Sequence, residues 1–465
     1  MKWCGVHMQK IIGGLILVLA LGFTGCFDNT AIIATADLLG QNGEVVLIDT
    51  DDMQASPITV KGVNAPREVL TSPEGRTAYV AGGSDDRIGV IDVQTKTSTY
   101  FQIKQYPLQT RRVWDMAITK DGARLIVGTQ DTLGLSSHIE LYDAQTLVLQ
   151  NDFSLKNGFD FYLGRRLAVD PSRETLYVVA TALAGIFAQV RAYAFDGTLL
   201  DRKDIAPDIL DIDNYDIAIS PQSDLLLAVS TQIFPFKVTG SSLEALNPIA
   251  GKGEGDNYKF YGKTKILFTK NYNMIYVNSA GLHVPGIANI GGSSVCLDKQ
   301  KVLANDPDPF VFSLVDFSND DLIKWIVKML SENIENIIDP VQLYGIADST
   351  VDGDTCYMVI ASVRSFVFDL AGLQDGKYIL AIYKTLPLIG NVWVGGKVID
   401  TFPNGIAVNP VNNTLTLTYF WQKEAGIYHR NPIFGWLLTK EDKIAVGDYP
   451  RASAVSSIST ASRVK

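Results

Sequence analysis

After the N-terminal segment the chain keeps three histidines, His138, His283 and His429, and their spacing bounds the chemistry it can do. They lie far apart, with no His-Glu-x-x-His or similar ligand spacing, so a zinc site is not expected. No Gly-x-Ser-x-Gly elbow supplies a nucleophilic serine, and no Cys-x-x-Cys-His attaches a haem. The glycine run Gly251-Lys252-Gly253-Glu254-Gly255 lacks the strand before it and helix after it that a phosphate cradle needs, and it reads as a loop. No catalytic residue is assigned on these grounds.

Two acidic groupings have short spacings: Asp208, Asp211, Asp213 and Asp216, and further on Asp348, Asp352 and Asp354. Hard oxygen ligands so placed can bind Ca²⁺, but the twelve-residue calcium loop with its closing Glu is missing. They read as solvated turn acids, with Ca²⁺ as the alternative and no cofactor predicted. Cys296 and Cys356 fall in strands of neighbouring units. In an oxidising compartment they can pair and pin the long segment between them, limiting the unfolded chain. Two separate buried thiols are the equal alternative.

The elements that must position these groups repeat at roughly fifty-residue spacing. An apolar strand ends in Ser/Asp-Pro, a polar turn leads to a second strand, and a third ends in Asp. Val69-Leu70-Thr71-Ser72-Pro73-Glu74-Gly75 with Ala78-Tyr79-Val80 and Gly89-Val90-Ile91-Asp92 is the clearest copy, and Leu167-Ala168-Val169-Asp170-Pro171 with Leu176-Tyr177-Val178-Val179 returns it. Each unit is a small antiparallel sheet that cannot bury both faces alone, so the fold predicted is an all-β propeller of face-to-face blades. Units near residues 64–105, 111–157, 163–207, 213–252, 261–308, 342–388 and 402–449 follow a first unit at 31–62. That makes eight four-stranded blades, or seven if 213–252 is split between its neighbours. Third strands are read at Val45–Asp49, Ile139–Asp143, Ala192–Asp196, Val295–Asp298 and Phe366–Asp369. Asp recurs there because it accepts local backbone hydrogen bonds and starts a turn. The first unit lacks its innermost strand while Arg451 to Ile458 has strand character and no blade, so the termini are expected to share one blade and remove the open edge.

At these residues the chain resembles the YVTN family of β-propeller repeat proteins, whose units carry an SPDGxxxYV turn. Ser72-Pro73-Glu74-Gly75-Arg76 with Tyr79-Val80, Asp121-Gly122 with Leu125-Ile126-Val127, and Ser220-Pro221 with Leu227-Ala228-Val229 carry the likeness across most of the mature chain. It implies the propeller but little about function, because such relatives include surface-layer proteins, exported binding proteins and lactonase-like enzymes. A looser likeness, through Ile139 to Asp143 followed by Ala144-Gln145-Thr146, is to pyrroloquinoline-quinone-type repeats.

A propeller binds or reacts at the mouth of its central channel, formed by the starts of the innermost strands. Those starts carry Arg67, Arg112, Trp114, Asp115, Arg165 and Arg166 in the first half of the chain. Tyr215, Asp216, Lys263, Tyr344 and Asn404 follow in the second. The set is more basic and aromatic than the chain, whose net charge is -10, so it can focus an anionic ligand. The alternative is that its arginines pair with acids of neighbouring blades.

Lys2 and Lys10 precede an apolar run, Ile11 to Leu21, too short for a permanent span and flanked as a secretory signal is. The run ends in Gly22-Phe23-Thr24-Gly25-Cys26, which resembles a bacterial lipobox with Cys26 as the lipidated residue. Residues 1–25 are then a lipoprotein signal, 26–30 a tether, and 31–465 the propeller. Phe27 stands where an inner-membrane retention Asp would, which favours the outer membrane or cell surface. Losing Lys2 and Lys10 with no acid takes the charge from -10 to -12, which disfavours a nucleic-acid partner. One segment breaks the repeat: Ser318 to Ile338, within an insertion of about 311–341, has helical spacing and is stopped by Asp339-Pro340. The function expected is a lipid-anchored envelope module that binds another protein, through a propeller face or helix 318–338, or a small ligand. The alternative is a lactonase-like hydrolase with its site at the channel mouth.

Overall fold

Strands buried on both faces read as unbroken apolar runs, and this chain has many. Leu225–Val229 and Thr175–Ala182 are buried along their whole length. The computed structural model arranges such strands in eight antiparallel four-stranded sheets. It describes residues 30–456 apart from 207–214, 251–259, 314–343, 363–377 and a number of shorter connections. Blade 2 runs from Pro66–Thr71 to Thr97–Gln102, blade 3 from Arg111–Ile118 to Leu149–Ser154, and blade 4 from Tyr162–Val169 to Leu199–Ile205. Blade 5 runs from Asp216–Ile219 to Ser242–Ala245, and blade 6 from Thr264–Phe268 to Phe310–Ser313. Blade 7 runs from Tyr344–Asp352 to Gly390–Ile399, and blade 8 from Pro403–Asn409 to Leu438–Ala445. Blade 1 is composite: Tyr449–Ser456 from the far end of the chain is its innermost strand and pairs with Thr30–Ala36. Innermost strands touch in ring order, and blade 8 returns to blade 1 through Tyr449–Ser456. The fold is an eight-bladed β-propeller closed by its two ends, as the repeat predicts. Residues 213–252 form a blade of their own, so the seven-bladed alternative falls.

The core lies between blades. Blades 4 and 5 share one apolar cluster that includes Tyr177, Val179, Val190, Tyr215, Ile217, Leu226 and Phe236. Burying each such side chain contributes about 1.5–3 kcal/mol, which makes the face-to-face contacts the main source of stability. Polar ties supplement them where one blade hands the chain to the next. Glu140 and Arg191 occupy the same third-strand position in blades 3 and 4, opposite Val127 and Val178. Glu140 accepts from the Lys104 backbone N–H at 3.0 Å, and Arg191 donates to the Leu155 carbonyl at 2.7 Å. Opposite charges thus hold opposite ends of the peptide dipole in the same place.

The repeated turn between innermost and second strands has a local cause. Ser72 Oγ accepts from Thr77 N–H at 3.0 Å, Thr119 Oγ1 from Arg124 N–H at 3.0 Å, and Ser220 Oγ from Leu225 N–H at 3.1 Å. Gly75 and Gly122 sit in these turns at φ 72° and 71°, where a side chain is strained.

Two readings of the sequence change. The third strand of blade 7 is Tyr378–Leu386, not Phe366–Asp369, which lies outside the described residues. Its buried Leu380 and Ile382 face the core shared with blade 8, and Ala381 is buried on the opposite face. Blade 6 also carries a hairpin, Leu282–Val284 with Ala288–Ile290, between its second and third strands. The expected helix at 318–338 lies outside the described residues.

Candidate binding site at the channel mouth

Each innermost strand starts at the mouth, and six of the eight contain a bulge there that inserts one extra residue. Bulges bend a strand and re-aim side chains, and they recur beside functional sites. The inserted residues are Arg451, Arg67, Trp114 and Arg165 in blades 1 to 4, then Ala347 and Asn404 in blades 7 and 8.

The residue after the bulge does a different job. Asp115 is buried; its Oδ2 accepts from the Leu167 N–H of blade 4 at 2.9 Å and its Oδ1 from Met116 N–H at 3.0 Å. Asp216 is buried as well and accepts from the Ile266 N–H of blade 6 at 2.9 Å. Asp348 accepts from the Ile406 N–H of blade 8 at 3.1 Å and from Lys265 Nζ at 2.9 Å. These carboxylates join blades 3 to 4, 5 to 6 and 7 to 8 at the rim of the channel. Asp115 and Asp216, read from sequence as mouth ligands, are therefore tethers between blades.

The remaining mouth residues divide. Trp114 is wedged between blades 3 and 4, where a Cβ on Gly128 or Gly164 would lie 2.4 or 2.2 Å from its indole. The indole Nε1 is buried and has no hydrogen-bond partner among the described residues. Tyr215 is 1% exposed and belongs to the apolar core between blades 4 and 5. Arg112 is exposed, and with the Gln130 amide turned so that its oxygen faces the guanidinium, that oxygen accepts from Arg112 Nε at 3.1 Å and Nη2 at 2.6 Å. Arg165 and Arg166 are half-buried; Arg165 Nε donates to Thr181 Oγ1 at 2.9 Å and Arg166 Nη1 to the Arg165 carbonyl at 3.0 Å. Three arginines thus sit on the adjacent innermost strands of blades 3 and 4, each bonded within its own blade. Arg67, Tyr344 and Asn404 sit in innermost strands, their side chains outside the described set, and Lys263 and Cys26 lie outside it altogether.

No protein-family model matches the chain, and no curated protein matches it in sequence. Among solved structures, apo AztD from Citrobacter koseri is similar at TM-score 0.52 and 13% identity, over 92% of this chain and 97% of that one. A candidate 6-phosphogluconolactonase from Bacteroides fragilis is similar at TM-score 0.49 and 14% identity, over 93% and 99%. The periplasmic gluconolactonase PpgL from Pseudomonas aeruginosa follows at TM-score 0.48 and 11% identity, over 92% and 99%. At such identities the likeness is one of fold.

The other candidate groups resolve into structural roles. Asp352 pairs with Arg430 at 2.8 Å and Asp348 with Lys265 at 2.9 Å, so two of the second acidic grouping form largely buried ion pairs, and Asp354 sits in a turn as read from sequence. Asp208, Asp211 and Asp213 lie outside the described residues. Among the described residues no three His, Cys, Asp or Glu side chains gather as a metal site would require. Cys296 and Cys356 are both thiols and both fully buried. Burial, reinforced by the neighbouring Cys296, pushes the Cys356 thiol well above its usual range. The sequence reading passed over Lys265, Asp348 and Arg451 as mouth residues. Their places follow from strand register, which sequence spacing alone does not show.

Proposed function

We propose that this chain is a binding module of the bacterial envelope, anchored through acylated Cys26, whose channel mouth takes an anionic ligand on Arg112, Arg165 and Arg166. One observation carries this reading. Asp115, Asp216 and Asp348, the carboxylates a hydrolase would use as acid, base or metal ligand, each accept from a backbone N–H of the next blade, while Arg112, Arg165 and Arg166 lie on the neighbouring innermost strands of blades 3 and 4. Guanidinium groups offer a planar fork to carboxylate or phosphate oxygens, and charged hydrogen bonds of that kind are the strong ones. Against a chain of net charge -10, such a patch concentrates anions locally. The first strand begins at Thr30, four residues after Cys26, so the anchor would hold the propeller close to the bilayer.

The test is calorimetric titration of the intact protein with inorganic phosphate, pyrophosphate and citrate at low ionic strength, with chloride as the control. Saturable binding is expected, weakened about tenfold or more by Arg165→Ala, which corresponds to a loss of at least about 1.4 kcal/mol. Absence of binding by all three anions, or turnover of a sugar lactone that survives in the same variant, contradicts the reading. For the anchor, Cys26→Ser is expected to release the protein from membranes, and an unmodified Cys26 in the mature wild type would refute it.

A further inference from the structure

A sheet that ends in an open strand offers unpaired backbone N–H and C=O groups to any strand that can reach them, and folds blunt such edges with charge, proline, bulges or short length. Each blade ends outward in one such strand. Seven of the eight are blunted. Blade 1 ends in Gln54–Thr59, which carries Pro57. Leu149–Ser154 of blade 3 and Leu199–Ile205 of blade 4 each pair through a bulge and carry Asp152 and the charged run Asp201 to Asp204. Gly390–Ile399 of blade 7 and Leu438–Ala445 of blade 8 are also bulged and carry Lys397 and the charged run Lys440 to Lys443. Blades 5 and 6 end in strands of only four residues, Ser242–Ala245 with Glu244 and Phe310–Ser313 with a bulge. Blade 2 differs. Its last strand, Thr97–Gln102, reads Thr-Ser-Thr-Tyr-Phe-Gln and has no charge, no proline and no register shift along its six residues. Uncharged strands of this β-branched and aromatic composition are the ones that pair edge to edge.

The strand is also fixed in place before any partner arrives. Ser98 Oγ donates to the Thr59 carbonyl at 3.0 Å and Lys96 Nζ to Ser56 Oγ at 3.1 Å, both on blade 1. The Arg87 guanidinium lies 4.9 Å from the centre of the Tyr100 ring, which is 45% exposed. An edge already ordered loses little further freedom on pairing.

We propose that this edge pairs with the same edge of a second copy of the chain, antiparallel about a two-fold axis through Thr99. The strand itself selects that occupant. A two-fold axis normal to the sheet sets residues of one face opposite each other, and about Thr99 it pairs Thr97 with Phe101, Thr99 with Thr99, and Ser98 with Tyr100. Aromatic with β-branched and Thr with Thr are favourable cross-strand pairs, and no like charges meet within the strand. The lysines just outside it set the register. About Tyr100, Lys96 of one copy would face Lys104 of the other; about Thr99 it faces Gln102. A chain of net charge -10 repels its copy over much of its surface, which favours approach at an uncharged edge. Three strands of blade 2 separate this edge from the channel, so the pairing is independent of binding at the mouth.

Sedimentation equilibrium of the intact protein in density-matched detergent, at physiological ionic strength, compares wild type with Thr99→Lys, Thr99→Glu and Thr439→Lys. Thr439, exposed on the outermost strand of blade 8, controls for added charge. A reversible dimer is expected for wild type and for Thr439→Lys. Each Thr99 variant alone is expected to weaken it about tenfold or more, because like charges meet on the axis. An equimolar mixture of Thr99→Lys with Thr99→Glu is expected to return to within about threefold of wild type, since opposite charges then meet there. Thr99→Cys is expected to cross-link copy to copy on mild oxidation, Cys296 and Cys356 being fully buried, and it serves if the charged variants do not fold. A monomer at every concentration, a wild-type dimer in folded Thr99→Lys, or a mixture no tighter than either variant alone overturns the proposal.

Discussion

Two sets of aspartates recur around the ring, five beside the ends of third strands and three on the innermost strands of blades 3, 5 and 7, and they use the same carboxylate in opposite ways. Asp49, Asp92, Asp143 and Asp298 end third strands and Asp196 stands two residues past one; all are exposed or half-buried and bond to the backbone of their own turn. The donors are two or three residues ahead, as in Asp51 N–H to Asp49 at 2.9 Å and Thr95 N–H to Asp92 at 2.8 Å. Asp115, Asp216 and Asp348 start innermost strands, are buried or nearly so, and bond to donors fifty or more residues away on the next blade. A local bond fixes a turn that water would otherwise solvate. A long-range bond in the interior gives an innermost-strand N–H an acceptor on the neighbouring blade and sets how two blades meet. The difference teaches that a carboxylate beside a binding mouth is not thereby a reactive one, since its two oxygens can already be spoken for.

That contrast can be sharpened by substitution, starting where the loss is greatest. Asp348→Ala leaves the Lys265 ammonium, itself 8% exposed, without its carboxylate and strips the Ile406 N–H. Breaking such a buried pair is expected to cost about 4 kcal/mol in urea unfolding. Asp298→Ala removes a turn acid that caps the short helix Lys299–Leu303 by accepting from Gln300 and Lys301 N–H. The expected cost is about 1 kcal/mol by the same measurement. The smallest effect belongs to Asp143 and Asp196, whose carboxyls are held below their usual range, first by backbone hydrogen bonds from Thr146 and Thr198. A folded-state value below the unfolded one contributes stability above the unfolded value, near pH 4, and loses it as pH falls through the folded one. Unfolding midpoints measured from pH 5 to pH 2 are therefore expected to fall less steeply in Asp143→Asn/Asp196→Asn than in wild type. An equal slope would sever the link between these bonds and acid stability.

His138 adds a titration on the same arm. Burial, ahead of the Arg111 charge, lowers it to about 4. The unfolded chain takes up a proton near pH 6.5 that the folded chain refuses, so stability falls as pH drops from there toward 4. His138→Gln is expected to flatten the wild-type stability profile in that window, and an unchanged profile would contradict it.

What the sequence disclosed follows the same division between local and distant partners. The turn acids were legible because each carboxylate and its donors sit within one tetrapeptide, and Ser72, Thr119 and Ser220 announced their turns for the same reason. Blade number and ring closure were legible because a missing strand at residues 31–62 and an unplaced one near 451–458 implied each other. The mouth was legible in outline only. Tyr215 and Asp216 are adjacent in the chain, but one packs between blades 4 and 5 and the other bonds to blade 6, a division set by contacts with segments far away in the chain. Arg451 looked like part of a closing strand, and its equivalence to Arg67 and Arg165 appears only when strand registers are compared. In blade 7 the run Phe366–Asp369 imitated a third strand because its pattern fits, whereas register selects Tyr378–Leu386.

The central claim, that the mouth aspartates are ties between blades, is tested most directly by urea unfolding of Asp216→Ala beside wild type. The buried Ile266 N–H would lose its acceptor, and the account predicts a loss of about 2 kcal/mol with the anion affinity of the mouth retained. Wild-type stability in this variant, with binding or turnover abolished, would show that Asp216 belongs to the working site and contradict the account.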